Sequence, residues 1–153
     1  MNYFAKRFLV FLTLACGACA LLFYARARAN APIGRYTVSG GTVTDTKTNL
    51  VWQQTPPIEP ATEAAAATYC AGLGSSLGGT GWRLPTVKEL LTLVDFARDT
   101  VIDSTAFPNT PANYFWTSTA VTGAPTSVWV VNFSNGETGT DFTVRSFVVR
   151  CVR

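Results

Sequence analysis

The sequence predicts an α+β domain with two helices packed on a mainly antiparallel sheet, long irregular loops and one disulfide. Three observations carry that prediction. Two helix-forming stretches, residues 61–73 and the segment after Pro85, follow one another in the middle of the chain. β-prone runs flank them, a hairpin before and a cluster of short strands after. Two cysteines, Cys70 and Cys151, fall on the first helix and the last strand. The 153-residue length suits one domain of ordinary size. No internal repeat, collagen-like tract or heptad is present.

Residues 1–29 read as a secretory signal peptide and residues 30–153 as the domain. Lys6 and Arg7 form a basic start, Phe8–Phe23 is an uncharged run of sixteen residues, and Ala27-Arg28-Ala29 fits a cleavage site. The run is short of the roughly 20 apolar residues of a membrane span. Arg26 and Arg28 behind it keep an uncleaved N-terminal anchor as the alternative, the one case in which this chain would contact a membrane. Cys16 and Cys19 lack a good lipobox and a polar tether. The expected location is secreted, periplasmic or on the cell surface.

Cleavage changes the charge. The whole chain is +3, but beyond residue 29 eight basic residues face nine acids, which leaves −1. No basic run remains, so nucleic-acid binding is disfavoured. The chain has no histidine. That excludes histidine triads, histidine proton shuttles and imidazole zinc sites.

In chain order, Arg35–Val38 suits a short edge strand. Thr42–Asp45 and Leu50–Gln53 flank a turn with Asn49 as its left-handed residue, and Thr55-Pro56-Pro57 ends the hairpin. Residues 61–73 are alanine-rich, with Thr62 as N-cap, Gly74 as C′ glycine, and Ala66, Ala67, Cys70 and Leu73 on one face. The Gly/Ser loop from Gly72 to Gly81 lacks the Lys-Ser/Thr pair of a phosphate loop. Thr86 and Glu89 form a capping box for a helix with Val87, Leu90, Leu91 and Val94 inward, ending between Asp95 and Arg98. Tyr114–Thr119 reads as a short buried strand and Val128–Phe133 as an apolar one. Asn135-Gly136 is a hairpin turn, and Phe142–Val144 a returning strand. Ser146–Val152 alternates, with Phe147, Val149 and Cys151 on one face and Val148, Arg150 and Val152 on the other.

In an oxidising compartment the pair Cys70 and Cys151 suggests a structural staple closing about 80 residues. A reactive thiol is the other reading, without a CxxC motif or a histidine base to support it. Asp95, Asp99 and Asp103 lie four apart, as metal ligands can, but equally as solvated acids at a helix end. No metal and no cofactor is expected. Paired-carboxylate chemistry among Asp95, Asp99, Asp103, Glu137 and Asp141 is the remaining enzymatic reading.

The succession TVTDTKTNLVW, EAAAATYCAGL, GWRLPTVKELLTLVD, YFWTST, VWVVNFSNG and VRCVR resembles the bacterial Lcl C-terminal domain family, named for the C-terminal domain of a collagen-like adhesin. The resemblance runs from about Arg35 to Arg153. Thr48-Asn49-Leu50 stands where the family commonly has Thr-Gly-Leu. The resemblance implies a C-type-lectin-like fold, and a Cys70–Cys151 bridge similar to that fold's long disulfide. Arg83–Thr86 also looks like the matching piece of formylglycine-generating enzymes. The lectin calcium motifs are absent, and Cys151 is the sole C-terminal cysteine, so neither activity carries over.

The expected function is therefore a non-catalytic, adhesin-like binding module for an extracellular or envelope glycan or protein. A homo-oligomer is compatible with it. The alternatives are a structural subunit of an envelope complex and, behind it, a carboxylate-based or formylglycine-generating-enzyme-like enzyme. Asn113, Trp116, Trp129, Asn132 and Asn135 are the candidate ligand residues, because aromatic faces stack on sugar rings and amides bond hydroxyls. Both tryptophans also have a core reading. Trp82, Arg83, Leu84, Pro85, Thr86 and Glu89 form a motif read as structural, with Arg83 as an ion-pair or carbonyl-binding residue and a ligand role as its alternative.

Overall fold

The structure, a computed structural model, describes residues 31–96 and 101–153. The expected leader, Arg98 and Asp99 lie outside the described residues. Tyr36–Ser39 (β1) turns through Gly40 and Gly41, both at positive φ, into Thr42–Asp45 (β2). The next turn carries Asn49 at φ 59° and leads to Val51–Gln53 (β3). The three strands form an antiparallel sheet in the order β1-β2-β3. Arg35 holds it to the rest of the domain, donating to Asp45 at 3.0 Å and to the Thr92 carbonyl at 2.6 Å.

Glu63–Gly72 (α1) starts after Thr62, whose side chain makes no cap bond. The Glu63 N–H donates instead to the Thr143 carbonyl at 3.2 Å, so a distant loop serves one of the orphan groups of the first turn. Ala66, Cys70 and Leu73 face inward, and Ala67 is exposed, a correction to the expected stripe. Gly74 does not stop the helix. It opens Gly74–Leu77 (α2), and Gly78 at φ 70° ends that turn. Gly74 is a glycine for another reason: a Cβ there would lie 2.7 Å from the Gly79 carbonyl oxygen.

Val87–Leu91 (α3) is shorter than its sequence suggests. Thr92 donates its hydroxyl to the Glu89 carbonyl at 2.7 Å. The Leu93 and Val94 amides fold back on Leu90 and Leu91 with i→i−3 spacing. Asp95 then donates to Val101, which takes the chain away from the helix axis.

Tyr114–Val121 (β4), Ala124–Asn132 (β5) and Thr138–Phe142 (β6) form the second antiparallel sheet, in that order. The returning strand thus precedes the expected Phe142–Val144. It ends at Phe142 because the Asp141 carboxylate accepts the Phe142 N–H and the Arg145 N–H turns back onto the Phe142 carbonyl. The architecture is α+β, with two antiparallel sheets, short helices and the Cys70–Cys151 disulfide. Among the described residues no helix is long and apolar enough to cross a membrane.

Ser146–Val152, expected as a terminal strand, is instead a set of single bridges to four parts of the chain. Phe147 pairs with Ala61, Val148 with Phe115, and Val152 with both Trp52 and Arg83. The alternation holds and means more than one buried face. Val149 and Cys151 join Trp82, Trp116 and Val130 in one apolar cluster. Val148 and Val152 join Trp52, Phe107 and Phe115 in the other. Arg150 lies on this second side, fully buried. It donates to the Gln53 and Gln54 carbonyls at 2.8 and 2.6 Å and to the Thr110 hydroxyl at 2.6 Å. Its guanidinium lies 4.8 Å from the Phe107 ring centroid. Burial pulls its pKa down to about 9, so it stays a cation at neutral pH.

Two outcomes follow. The Cys70→Ala/Cys151→Ala protein loses about 2–5 kcal/mol of unfolding free energy in urea titrations, as closure of an 81-residue separation dictates. Arg150→Met, of similar length and apolar, leaves one buried and two part-buried oxygens without their donor and costs at least about 2 kcal/mol. A loss under about 0.5 kcal/mol would show that those acceptors do not need it.

Candidate functional site

Three of the five candidate ligand residues come together where β4 begins and β5 ends. Asn113 accepts the Phe133 N–H on its carbonyl at 2.9 Å, and Tyr114 pairs with Asn132 across the sheet. Asn132 then starts a tight turn. It accepts the Gly136 N–H at 2.7 Å and donates to the Glu137 carbonyl at 2.8 Å. Asn135 lies at the tip, its Nδ2 donating to the Glu137 carboxylate at 2.7 Å and its Oδ1 accepting the Glu137 N–H at 3.1 Å.

Local hydrogen bonds fix the amide orientations. The Asn132 Oδ1 accepts from the Ser134 N–H and hydroxyl, at 2.9 and 2.7 Å. The Asn113 Oδ1 accepts the Tyr114 N–H at 2.7 Å. With both oxygens held by the backbone, the two Nδ2 groups are left as donors without a protein acceptor among the described residues. Tyr114 is 40% exposed, and its ring leans on Phe147 at 5.4 Å between centroids. Directly opposite Asn132, it presents an aromatic surface on the same face as that amide.

The tryptophans do not join this group. Trp116 is fully buried, donates its indole N–H to the Ala61 carbonyl at 2.6 Å and packs on Phe147 at 4.8 Å. It is a core residue, and its face is not open to a ligand. Trp129 is half-buried and points to the opposite face of β5 from Asn132, since they are three positions apart along the strand. Its carbonyl accepts the Thr117 hydroxyl at 2.6 Å.

Two exposed aromatic residues were missed. Tyr114 is the outer end of a run that reads as buried throughout, and only its position at the strand terminus separates it from Phe115 and Trp116. Phe96, 73% exposed, lies against the turn at Gly136. A Cβ on Gly136 would come 2.5 Å from its ring, so only glycine at φ 79° lets the ring sit there. The sequence offers no signal for that contact, which joins residues 40 positions apart.

The Trp82–Glu89 motif is a structural clasp. Trp82 and Leu84 enter the core beside the disulfide, and the Trp82 indole donates to the Gly78 carbonyl at 2.8 Å. The Pro85 carbonyl accepts the Ser118 N–H at 2.8 Å. The expected capping box is complete: Thr86 Oγ1 accepts the Glu89 N–H at 3.2 Å, and Glu89 Oε2 accepts the Thr86 N–H at 2.7 Å. Arg83 adds a two-pronged pair to the same carboxylate, at 2.9 and 2.7 Å, and a bond to the Leu84 carbonyl. The Arg83 hydrogen bonds lead in bringing the Glu89 pKa down to about 2 against the upward push of burial, and Thr86 adds to them. Burial also pushes Asp45 up, yet Arg35 and the Lys47 N–H hold it below the usual carboxylate range.

Two of the other candidate carboxylates have local partners. Asp103 Oδ1 accepts the Thr105 and Ala106 amides, and Asp141 faces Arg145 at 3.6 Å. Glu137, just before β6, and Asp141 within it are four positions apart along extended chain, about 13 Å. Among the described residues no three of His, Cys, Asp and Glu gather as metal ligands do.

The family model described as the Lcl C-terminal domain matches residues 41–153. No curated protein matches the chain.

Glu89→Gln removes the charge that the clasp organises. The native pKa lies below the ordinary value of 4.5, so the carboxylate stabilises the fold fully above that value and progressively less toward pH 2. Thermal unfolding at pH 7 and at pH 2.5 is expected to show a destabilised variant at the higher pH and a much smaller gap at the lower. Equal gaps would mean that the charge does not matter. Thr86→Ala costs about 1 kcal/mol at neutral pH.

Proposed function

The chain belongs to the Lcl C-terminal domain family, and on that basis we propose that it is an exported, non-catalytic, adhesin-like module that binds a glycan or protein at the bacterial envelope. The carrying observation is the pairing of the exposed Tyr114 ring with Asn132, beside two asparagine Nδ2 donors whose oxygens are held by local hydrogen bonds. A sugar ring stacks on such an aromatic face while its hydroxyls accept from fixed amides. Asn113, Tyr114, Asn132 and Asn135 are the proposed contacts. Trp116 drops out as a core residue, and Trp129 as one that faces away.

Export is supported by the leader-like residues 1–29 and by the disulfide, which forms in oxidising compartments. A C-type-lectin-like arrangement fits the same features: a bridge from the first helix to the last segment, and antiparallel strands with irregular connections. A second reading, a structural subunit of an envelope complex, is favoured by exposed Phe142 and Val144 at the end of β6, 57% and 80% accessible.

A glycan array with the disulfide-intact protein tests the leading reading. Tyr114→Ala and Asn132→Ala should each weaken any sugar hit by about tenfold or more, with melting temperatures within a few degrees of the parent. Array signals at background, together with co-purification of an envelope protein that is lost on Phe142→Ser/Val144→Ser, would favour the structural subunit instead.

A further inference from the structure

We propose a second binding subsite, for a single oxyanion such as the carboxylate, sulfate or phosphate group of a ligand, formed by Arg153, Trp82 and the Gly78–Gly81 loop. It shares no residue with the site around Tyr114.

Arg153 is exposed, and its guanidinium lies 5.4 Å from the Trp82 ring centroid. Trp82 is itself fixed: 4% exposed, with its indole N–H held by Gly78. The cation therefore rests on a rigid aromatic platform. No carboxylate pairs with Arg153 among the described residues. The other arginine of the region, Arg83, is already committed to Glu89.

The loop beneath is shaped around that guanidinium. An added Cβ on Gly79, at φ 72°, would fall 2.6 Å from the Arg153 Cζ and 2.7 Å from its Nη1. With the guanidinium in this position there is no room for a Cβ, and the positive φ is one that side chains rarely adopt. Gly78 and Gly81 are also at positive φ, so the loop lacks side chains on the N-terminal side of the contact and carries only that of Thr80 between Gly79 and Gly81. The Gly78 carbonyl is turned to Trp82 and the Gly79 carbonyl is packed on Gly74. In a trans peptide the N–H points opposite to the carbonyl, so the Gly79 and Thr80 amides are directed away from those contacts. Neither amide has a protein acceptor among the described residues. An unpaired planar cation beside unbonded backbone N–H groups is what binds an oxyanion.

The loop carries no lysine for a polyphosphate, and the chain beyond residue 29 has a net charge of −1. The ligand class is accordingly one anionic group on an otherwise neutral molecule, in contrast to a densely sulfated polymer, which needs clustered Arg and Lys. The side chain of Arg153 would thus hold a ligand group while the backbone of residues 147–153 closes the core.

The test is a proton–nitrogen NMR titration of the disulfide-intact domain with sodium sulfate, sodium phosphate and sodium acetate, against sodium chloride at matched ionic strength. The expected result is saturable shifts confined to the 78–82 amides and the Arg153 Nε–H, with affinity falling about tenfold or more in Arg153→Gln. Arg153→Lys, which keeps the charge but not the planar stack, is expected to recover binding only in part. The order of the three anions identifies which group the site prefers. Shifts that are spread over the surface, or unchanged in Arg153→Gln, would reveal an adventitious ion only and overturn the proposal. Arg153 is exposed, so the variant folds, and Tyr114→Ala should leave the titration untouched.

Discussion

The structure depends on the seven residues from Phe147 to Arg153, which lie between two apolar clusters and give each of them alternate side chains. Neither three-stranded sheet is large enough to bury both of its faces alone. The segment bonds to β3 through Val51 and Gln53, to the start of α1 through Ala61, to the clasp through Arg83 and to β4 through Tyr114 and Trp116. One extended stretch thereby joins two sheets that are not hydrogen-bonded to each other. The disulfide adds a covalent tie from the middle of the segment to α1. Arg150 supplies the polar counterpart, satisfying the carbonyls where β3 gives way to the proline-rich stretch that follows. A cation without a carboxylate partner among the described residues is tolerated there because the two carbonyls, a hydroxyl and two aromatic faces surround it.

How much of this could be read from the sequence follows from the range of each interaction. The capping box at Thr86 and Glu89 spans three residues and is written in the chain. So is the left-handed Asn49, and so is the turn at Asn135-Gly136. The pairing of the cysteines was legible because only two remain beyond the leader. The alternation of Ser146–Val152 was visible, but a period of two cannot say whether the second face meets water or a second core. The alternation puts Arg150 on the face of Val148 and Val152 but cannot show what it bonds, because its acceptors lie 97, 96 and 40 positions away. The second helix was overextended because Val94 continues its stripe, while Thr92 and the Asp95–Val101 bond end it by contacts that periodicity does not register.

The candidate site shows the same division. Asn113 and Asn135 are exposed and Asn132 half-buried, and the polar turn at 132–137 forms from its own hydrogen bonds. Aromatic residues were harder. In YFWTST three large rings follow one another, and which of them is exposed depends on what covers each face of β4. Here one face meets Phe133 and the other meets Phe147, so Phe115 and Trp116 are both enclosed and Tyr114 alone reaches solvent. The covering residue Phe147 belongs to the terminal segment. The position of the proposed ligand surface is therefore a consequence of the same insertion that closes the core.

Native-state hydrogen exchange with the disulfide intact tests that dependence most directly. The account predicts that the amides of Val148, Val152 and Arg153 open only with those of Val51, Gln53, Arg83 and Trp116, at one common free energy equal to that of global unfolding. Exchange of the terminal amides at a much lower free energy, with both sheets still protected, would contradict it.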